Sequence, residues 1–427
     1  MTTVIRGGRL VDPSQHIDGL YDLFLDDGGK VVDILACDKN ARFEADVIDA
    51  ANLVVIPGMI DIHTHLRDPG YEYKEDIKSG TMSAAAGGVT AVACMANTCP
   101  VNDNASITKD IVKKAREEGI VKVYPIGALT KGLKGESLAE IADMKDSGIV
   151  AVSDDGMPVS NSAMMRRGME YCLGFDLPVI SHPEDSALSM GGTMNEGLLS
   201  TKMGLKGVPN ISEEIMVMRD IAIAELTGAT LHIAHISTKG AVDLVRKAKE
   251  KGINVTAEAA PHHFILDEEA VKGYRTEAKM NPPLRSKEDV AAVRSGLGDG
   301  AIDIIATDHA PHSTIEKDVE FENAANGIIG LETLFPLTMK LVDDGILTFH
   351  DAIRKLTEAP ASLIGVKGGS LRKGMPADIT IVDLNAKYKI NRNKMKSKSK
   401  NSPFHGWEVK GKVIYTIVDG KVVFEDN

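Results

Sequence analysis

The chain has 427 residues, 43% of them hydrophobic and 26% charged, with a net charge of −12. These values describe a globular protein long enough for one large α/β domain and a smaller second one. The acidic balance argues against nucleic acid and anionic membrane surfaces as partners, so an anionic substrate would have to be met by a local arginine or metal ion.

The opening "MTTVIRGGRLVD" lacks a basic stretch followed by an apolar one, and no apolar run reaches the length of a membrane span. The four cysteines (Cys37, Cys94, Cys99 and Cys172) show no CxxC spacing and fall mostly in apolar runs. The expectation is a cytoplasmic protein with reduced, buried thiols. Through the first sixty residues, "VIRGGRLVD", "YDLFLDDGGKVVDIL" and "NLVVIPG" read as strands, with a turn at DDGG. The end of the chain has the same texture in "ADITIVDL" and "GKVIYTIVDGKVVF", with a turn at DG. The two ends are expected to pair into one small β-domain.

Next comes "GMIDIHTHLRDPG" (58–70), where two histidines and an arginine follow an apolar run at intervals of two. On an extended strand His63, His65 and Arg67 would share a face, with Asp61 below them and Thr64 and Leu66 turned away. Seven more apolar strand candidates follow: "VTAVACM", "VKVYPIGAL", "GIVAVSDD", "LPVISHPE", "TLHIAHIS", "INVTAEAAP" and "IDIIATDHAP". Helical stretches such as "ASITKDIVKKAREEG", "ISEEIMVMRDIAIAELTG" and "KGAVDLVRKAKEKG" separate most of them. Eight strands alternating with helices predict a closed (β/α)8 TIM-type barrel, with its site at the C-terminal strand ends. An open doubly wound sheet is the alternative, and the lack of a GxGxxG fingerprint after a strand weighs against it. The domains are then 1–57 and 369–427 for one small β-domain of both termini, and 58–368 for the barrel. The segment 189–210 reads as a surface connection, with a loop over the site as the alternative, and "KMKSKSKN" as a short solvated basic loop.

Polar residues gather where a barrel mouth would be. His63 and His65 end the first strand, Asp154 and Asp155 the fourth, His182 the fifth and His235 the sixth. His262 and His263 follow the seventh, and Asp308 and His309 end the eighth. Strands buried on both faces are ordinarily apolar throughout. One such residue is ordinarily a hydrogen-bonded structural group, whereas five strand ends carrying them together mark a catalytic mouth. Histidines and carboxylates without thiolates suit zinc or a similar divalent ion. A Cys–His nucleophile pair is unsupported, and a glycosidase-type carboxylate pair would leave the histidines unexplained. His232 and His235 are three apart, so on a strand only one looks inward; His235 is the better ligand and His232 a packed, hydrogen-bonded residue. Periodicity does not choose between Asp154 and Asp155.

With these residues in place, the chain resembles the amidohydrolase superfamily and, within it, the dihydroorotases of the bacterial class I type. The likeness runs through "DIHTHLRDPG", "MANT", "VSDDG", "ISHPE", "LHIAHIST", "APHH", "KMNPPLR", "IATDHAPH", "GSLRKGMPADITIVD" and "NSPFHGW". It implies a metal-bearing barrel with a β-sandwich built from both termini, and reversible ring closure of N-carbamoyl-L-aspartate to L-dihydroorotate. It implies zinc held by His63, His65, Asp155, His182, His235 and Asp308, as two ions bridged by Asp155 or as a single ion. By the same resemblance Asp308 is the catalytic acid–base, and His65, Arg67, Asn97, Asn281, His312, Asn326 and Gly327 hold the substrate. Ala96 stands where the family usually has proline, and "ANG" (325–327) where it has Pro-Phe-Gly; the second departure lies in the 313–330 loop, and the metal and arginine positions are unaffected. No lysine lies in "GIVAVSDDGMPV", so Asp155 takes the place of the carboxylated lysine of hydantoinase-type relatives. The alternatives are another cyclic amide hydrolase, of hydantoinase or allantoinase type, and a non-catalytic structural partner. The resemblance admits a homodimer and an association with aspartate carbamoyltransferase.

Overall fold

A computed structural model describes residues 3–38 and 43–426, so the expected terminal segments lie partly outside it. The N-terminal part is built of strands β1 (Thr3–Asp12), β2 (Ile17–Leu25), β3 (Val31–Ala36), β4 (Asp46–Asp49) and β5 (Val54–Pro57). After one glycine the chain enters the barrel with β6 (Met59–Thr64), β7 (Val89–Cys94), β8 (Lys122–Pro125) and β9 (Val179–Ser181). The two-residue strands β10 (Met194–Asn195) and β11 (Gly207–Val208) intervene before β12 (Leu231–Ile233), β13 (Val255–Ala259) and β14 (Ile304–Ile305). The chain then returns to the terminal sheet as β15 (Ile379–Lys389), β16 (Glu408–Val418) and β17 (Lys421–Glu425).

Both ends of the chain do share one eight-stranded sheet, in the order β17-β16-β15-β5-β1-β2-β3, with β4 also on β1. The join is the antiparallel pairing of β15 with β5, from Ile379 opposite Pro57 to Val382 opposite Val54. Its core holds Ile5, Leu10, Leu23, Val55, Ile379 and Ile417.

The barrel is closed and parallel. Strands β6-β7-β8 form one run and β9-β12-β13-β14 another. The expected fourth strand is reduced to one residue, Val152, bridged to Gly127 on one side and Val179 on the other. A bridge from Thr64 to His309 seals the seam. Ile60, Ile62, Ala91, Ala93, Ile126, Ala151, Ile180, Ala234, Ile304 and Ala306 fill the interior below the mouth, with Ala361 and Ile364 packed among them. Small and branched side chains in layers are what a parallel barrel of this size can hold. The outer helices begin where side chains can cap free N–H groups: Asp76 before Ile77–Ala86, Asn104 before Ala105–Glu118, Thr238 before Lys239–Glu250.

Four expectations change. The 189–210 segment is folded rather than a plain connection: β10 pairs with β11, Leu198–Met203 is helical, and Met194 and Leu199 are buried against Leu266 and Met280. The "KMKSKSKN" run is solvated on one side only: Lys394, Lys396 and Lys398 are exposed, while Ser397, Ser399 and Asn401 are buried. Of the cysteines, Cys94 and Cys172 are buried, Cys37 is half-buried and Cys99 is exposed. The column of Asp61, His63, His65 and Arg67 is broken. A register shift between Asp61 and Thr64 puts a bulge in β6, Ile60 and Ile62 join the interior, and Asp61 instead accepts hydrogen bonds from Thr307 N and Oγ1. Arg67 lies beyond the strand, with φ of 62°.

Candidate metal centre and substrate pocket

At the C-terminal rim of the barrel, His63, His65, Asp155, His182, His235 and Asp308 converge, all of them buried. Ligand atoms of His63, Asp155 and His235 lie within 4.8 Å of one another, and so do those of His63, His65 and Asp308. Asp155 stands between two sets of imidazoles. Its Oδ1 is 3.4 Å from His63 Nε2, 3.3 Å from His182 Nδ1 and 3.6 Å from His235 Nε2, while Oδ2 is 3.5 Å from His65 Nε2. Asp308 Oδ1 is 3.1 Å from His65 Nε2 and 3.5 Å from His63 Nε2.

The donor set fits a divalent ion on two observations. His63 Nε2 is buried without a hydrogen-bond partner among the described residues, although four neighbouring side chains direct ligand atoms toward it. His235 Nε2 and His182 Nδ1 also approach to 2.8 Å beside the same carboxylate oxygen. An unpartnered imidazole nitrogen in a dry pocket is costly unless a ligand meets it. The electrostatics agree. Burial opposes a charge on His63, but Glu258, Asp308 and Asp155 override it and raise its pKa well above the ordinary histidine range. Burial likewise opposes the charge on Asp155, and His63, His182 and His235 hold its pKa well below the carboxylate range. Such a pocket is arranged to receive positive charge.

Asp154, the other aspartate of the pair, does something else. Its Oδ1 accepts from Leu129 N at 2.8 Å and Thr130 N at 3.0 Å, and Thr130 Oγ1 donates to its Oδ2, so it ties the fourth strand to the turn after β8. Burial pushes its pKa up to about 6 despite these bonds.

The choice between His232 and His235 does not rest on strand alternation. β12 ends at Ile233, and His235 turns toward the site through a positive φ of 32°. His232 is buried and bonded as expected, to Thr256 and, at 3.1 Å, to Glu258 Oε2. Glu258 also meets His63 Nδ1 at 2.5 Å and accepts from His235 N at 3.3 Å. This carboxylate on β13 was not among the sequence candidates. The only signal was a glutamate inside an apolar strand, "VTAEA". It fixes the ring of His63 so that Nε2 faces the cluster, the usual work of a carboxylate behind a ligating histidine. Glu258→Gln is expected to weaken metal affinity by about 10–100-fold, measured by chelator competition; unchanged affinity would show that packing alone orients His63.

Around this centre lie the expected substrate residues. Arg67 is half-buried; its Nε donates to Pro311 O at 3.2 Å and its Nη2 to His312 Nε2 at 3.3 Å. Among the described residues no carboxylate is paired with it. Burial lowers its pKa, opposed by the nearby charges of Asp308 and Asp155. His312 is driven down to about 3 by burial and by Arg67, Lys74 and Lys317, which leaves it a neutral acceptor for Arg67. Asn97 Oδ1 is 2.9 Å from His65 Nδ1, and its amide group is 3.5 Å from Asp155 Oδ2. Asn281 Nδ2 donates to Glu184 Oε2 at 2.7 Å, and the same oxygen lies 3.1 Å from His182 Nε2. Asn326 is exposed at the tip of its loop, and Gly327 is buried beneath it.

Comparison with known proteins follows the same lines. Residues 52–241 match the family model described as dihydro-orotase-like, and residues 232–424 that of the amidohydrolase family. The curated dihydroorotase of Syntrophotalea carbinolica is 53% identical over 424 residues, covering 99% of each chain. That of Geotalea daltonii is 55% identical over 423 residues, again 99% of each. Among solved structures, the L-hydantoinase (dihydropyrimidinase) of Arthrobacter aurescens superposes with a TM-score of 0.89 at 25% identity, over 99% of this chain and 96% of that one. A dihydropyrimidinase from Brevibacillus agri NCHU1002 shares the fold, with a TM-score of 0.86 at 24% identity, over 100% and 95% of the two chains.

Proposed function

The chain belongs to the dihydroorotase family and is by that membership a cyclic amidohydrolase, and from this premise we propose that it interconverts N-carbamoyl-L-aspartate and L-dihydroorotate in pyrimidine synthesis. The observation that carries the reading is Arg67, a guanidinium with no carboxylate partner among the described residues, beside a buried His/Asp cluster. Even half-buried, a guanidinium partly out of water without a counter-charge is costly, and a substrate carboxylate relieves that cost.

In this reading His63, His65, Asp155, His182, His235 and Asp308 would hold zinc, two ions in number; both oxygens of Asp155 face imidazoles, which supports its place in the set. When bound, the metal would lower the pKa of a water toward neutrality and would polarise the ring amide carbonyl. Arg67 receives the ring carboxylate in a planar fork, and Asn97 and Asn281 flank it. His312, Asn326 and Gly327 complete the pocket. In ring opening Asp308 accepts a proton from the attacking water and passes it to the nitrogen as the ring C–N bond breaks; in ring closure it runs in reverse.

A hydantoinase-type activity is the competing reading, suggested by the solved structures of similar fold. Arg67 tells against it, because an uncharged hydantoin leaves the guanidinium without its counter-charge. Turnover of L-dihydroorotate and of hydantoin, measured beside elemental analysis of the purified protein, decides between them. Preference for hydantoin would overturn the proposal. Arg67→Lys keeps the charge but loses the fork, so KM for L-dihydroorotate is expected to rise by the equivalent of about 1–3 kcal/mol. Unchanged kinetics in that variant would remove Arg67 from the pocket.

A further inference from the structure

The motif "NSPFHGW" and the basic run before it have no part in the chemistry above, yet they reach the barrel mouth. Between β15 and β16 the chain leaves the terminal sheet and crosses to the rim as an alternating strap. Its lysines face out and its serines face in. Ser397 Oγ bonds to Glu75, Lys398 N donates to Glu75 Oε1 at 3.0 Å, and Ser399 Oγ donates to Lys74 O at 2.7 Å. Phe404 anchors the far end, 1% exposed, in a cluster that includes Ala310, Phe321 and Ile328.

Asn401 lies at the centre of this crossing, 4% exposed. Its Oδ1 accepts from His312 N at 3.1 Å. Its Nδ2 donates to Ala310 O at 2.9 Å and to Gly327 O at 3.0 Å. Both amide hydrogens and the amide oxygen are thereby engaged. One side chain thus ties the loop carrying His312 to the loop carrying Asn326 and Gly327. The two loops meet closely enough that a Cβ on residue 327 would lie 2.5 Å from Ala310 O. The second loop is held from its other side by two buried lysines bonded to backbone carbonyls. Lys317 Nζ donates to Ala325 O and Gly327 O, and Lys279 Nζ to Glu322 O and Ala324 O.

We propose that Asn401 is a positioning residue, through which the terminal sheet domain sets the two substrate-side loops of the barrel against each other. The proposal rests on the reading of His312, Asn326 and Gly327 as substrate contacts. Only an amide serves all three bonds. Asn401→Asp keeps the acceptor for His312 N but turns a carboxylate oxygen toward two carbonyls, which repels them. Asn401→Ala leaves His312 N and Ala310 O unmet and Gly327 O held by Lys317 alone.

Groups that hold substrate equally in ground and transition states act on KM and leave kcat alone. Both variants are therefore expected to raise KM for L-dihydroorotate about tenfold or more, with kcat within about threefold and metal content unchanged. Lys398→Ala, an exposed position on the same strap, should leave KM as it was. Hydrogen exchange at residues 310–312 and 325–328 should quicken in both Asn401 variants. KM within twofold of the unmodified protein would overturn the proposal, and so would loss of kcat and metal together at constant KM. If the unmodified protein does not turn over L-dihydroorotate, the functional reading fails by itself. The exchange data then decide the clamp: unchanged protection overturns it, and faster exchange confined to those loops supports it.

Discussion

With asparagine at position 308, kcat for opening L-dihydroorotate is expected to fall by about 10²–10⁴, with far less change in substrate binding. Asp308 lies at the exit of the eighth strand with φ of 48°, a backbone conformation that side chains rarely adopt and that turns its carboxylate toward His65 and His63. Burial opposes its charge, but His63 and then His65 outweigh burial and hold its pKa down to about 2. A depressed pKa means the carboxylate is ionised, and able to accept a proton, across the whole neutral and mildly acidic range. Asparagine keeps the shape and a neutral oxygen but cannot accept that proton. Were Asp308 only a ligand, saturating zinc would restore the rate. Recovery to within about tenfold of the unmodified enzyme would exclude the proton-transfer role.

Asp155→Ala is expected to empty much of the metal centre, while Asp154→Ala keeps its metal and loses stability instead. The two aspartates are adjacent in sequence and opposite in surroundings. Asp155 touches four imidazoles through its two oxygens, so its loss removes the group between both sets of ligands. Affinity should drop by more than the roughly 10–100-fold typical of groups that merely support a ligand. Asp154 accepts from two backbone N–H groups and one hydroxyl, all buried. Leaving a buried donor unmet costs about 1–3 kcal/mol, so Asp154→Ala should lower Tm with metal stoichiometry intact. Elemental analysis beside thermal unfolding separates the two; the reverse pattern would reassign the ligand.

How much of this could be read before the fold was known follows from the range of each interaction. Alternating apolar strands and helices predicted the barrel, because each strand is buried on both faces and leaves its polar residues at the ends. The β-rich ends predicted strands, and their common texture suggested the shared sheet that β5 and β15 form. Histidines and aspartates at strand exits marked the mouth, since few other reasons place so many there.

The tertiary structure decided what local periodicity does not carry. A bulge in β6 and positive φ at Arg67, His235 and Asp308 set where those side chains point, so alternation counted along the strand misplaced Asp61, and the choice of His235 over His232 agrees with the structure because of the turn after β12 rather than alternation. Glu258 supports His63 across 195 residues, and Asn401 reaches Ala310 and Gly327 across 91 and 74. Each is one polar group among apolar or basic neighbours, with no pattern of its own. The run "KSKSKN" did hold a period of two, but its lysines announce a solvated loop while its serines and asparagine are buried. A strand's period reports which side of its own element a residue faces, and the partner waiting on that side is settled only when distant segments are packed together.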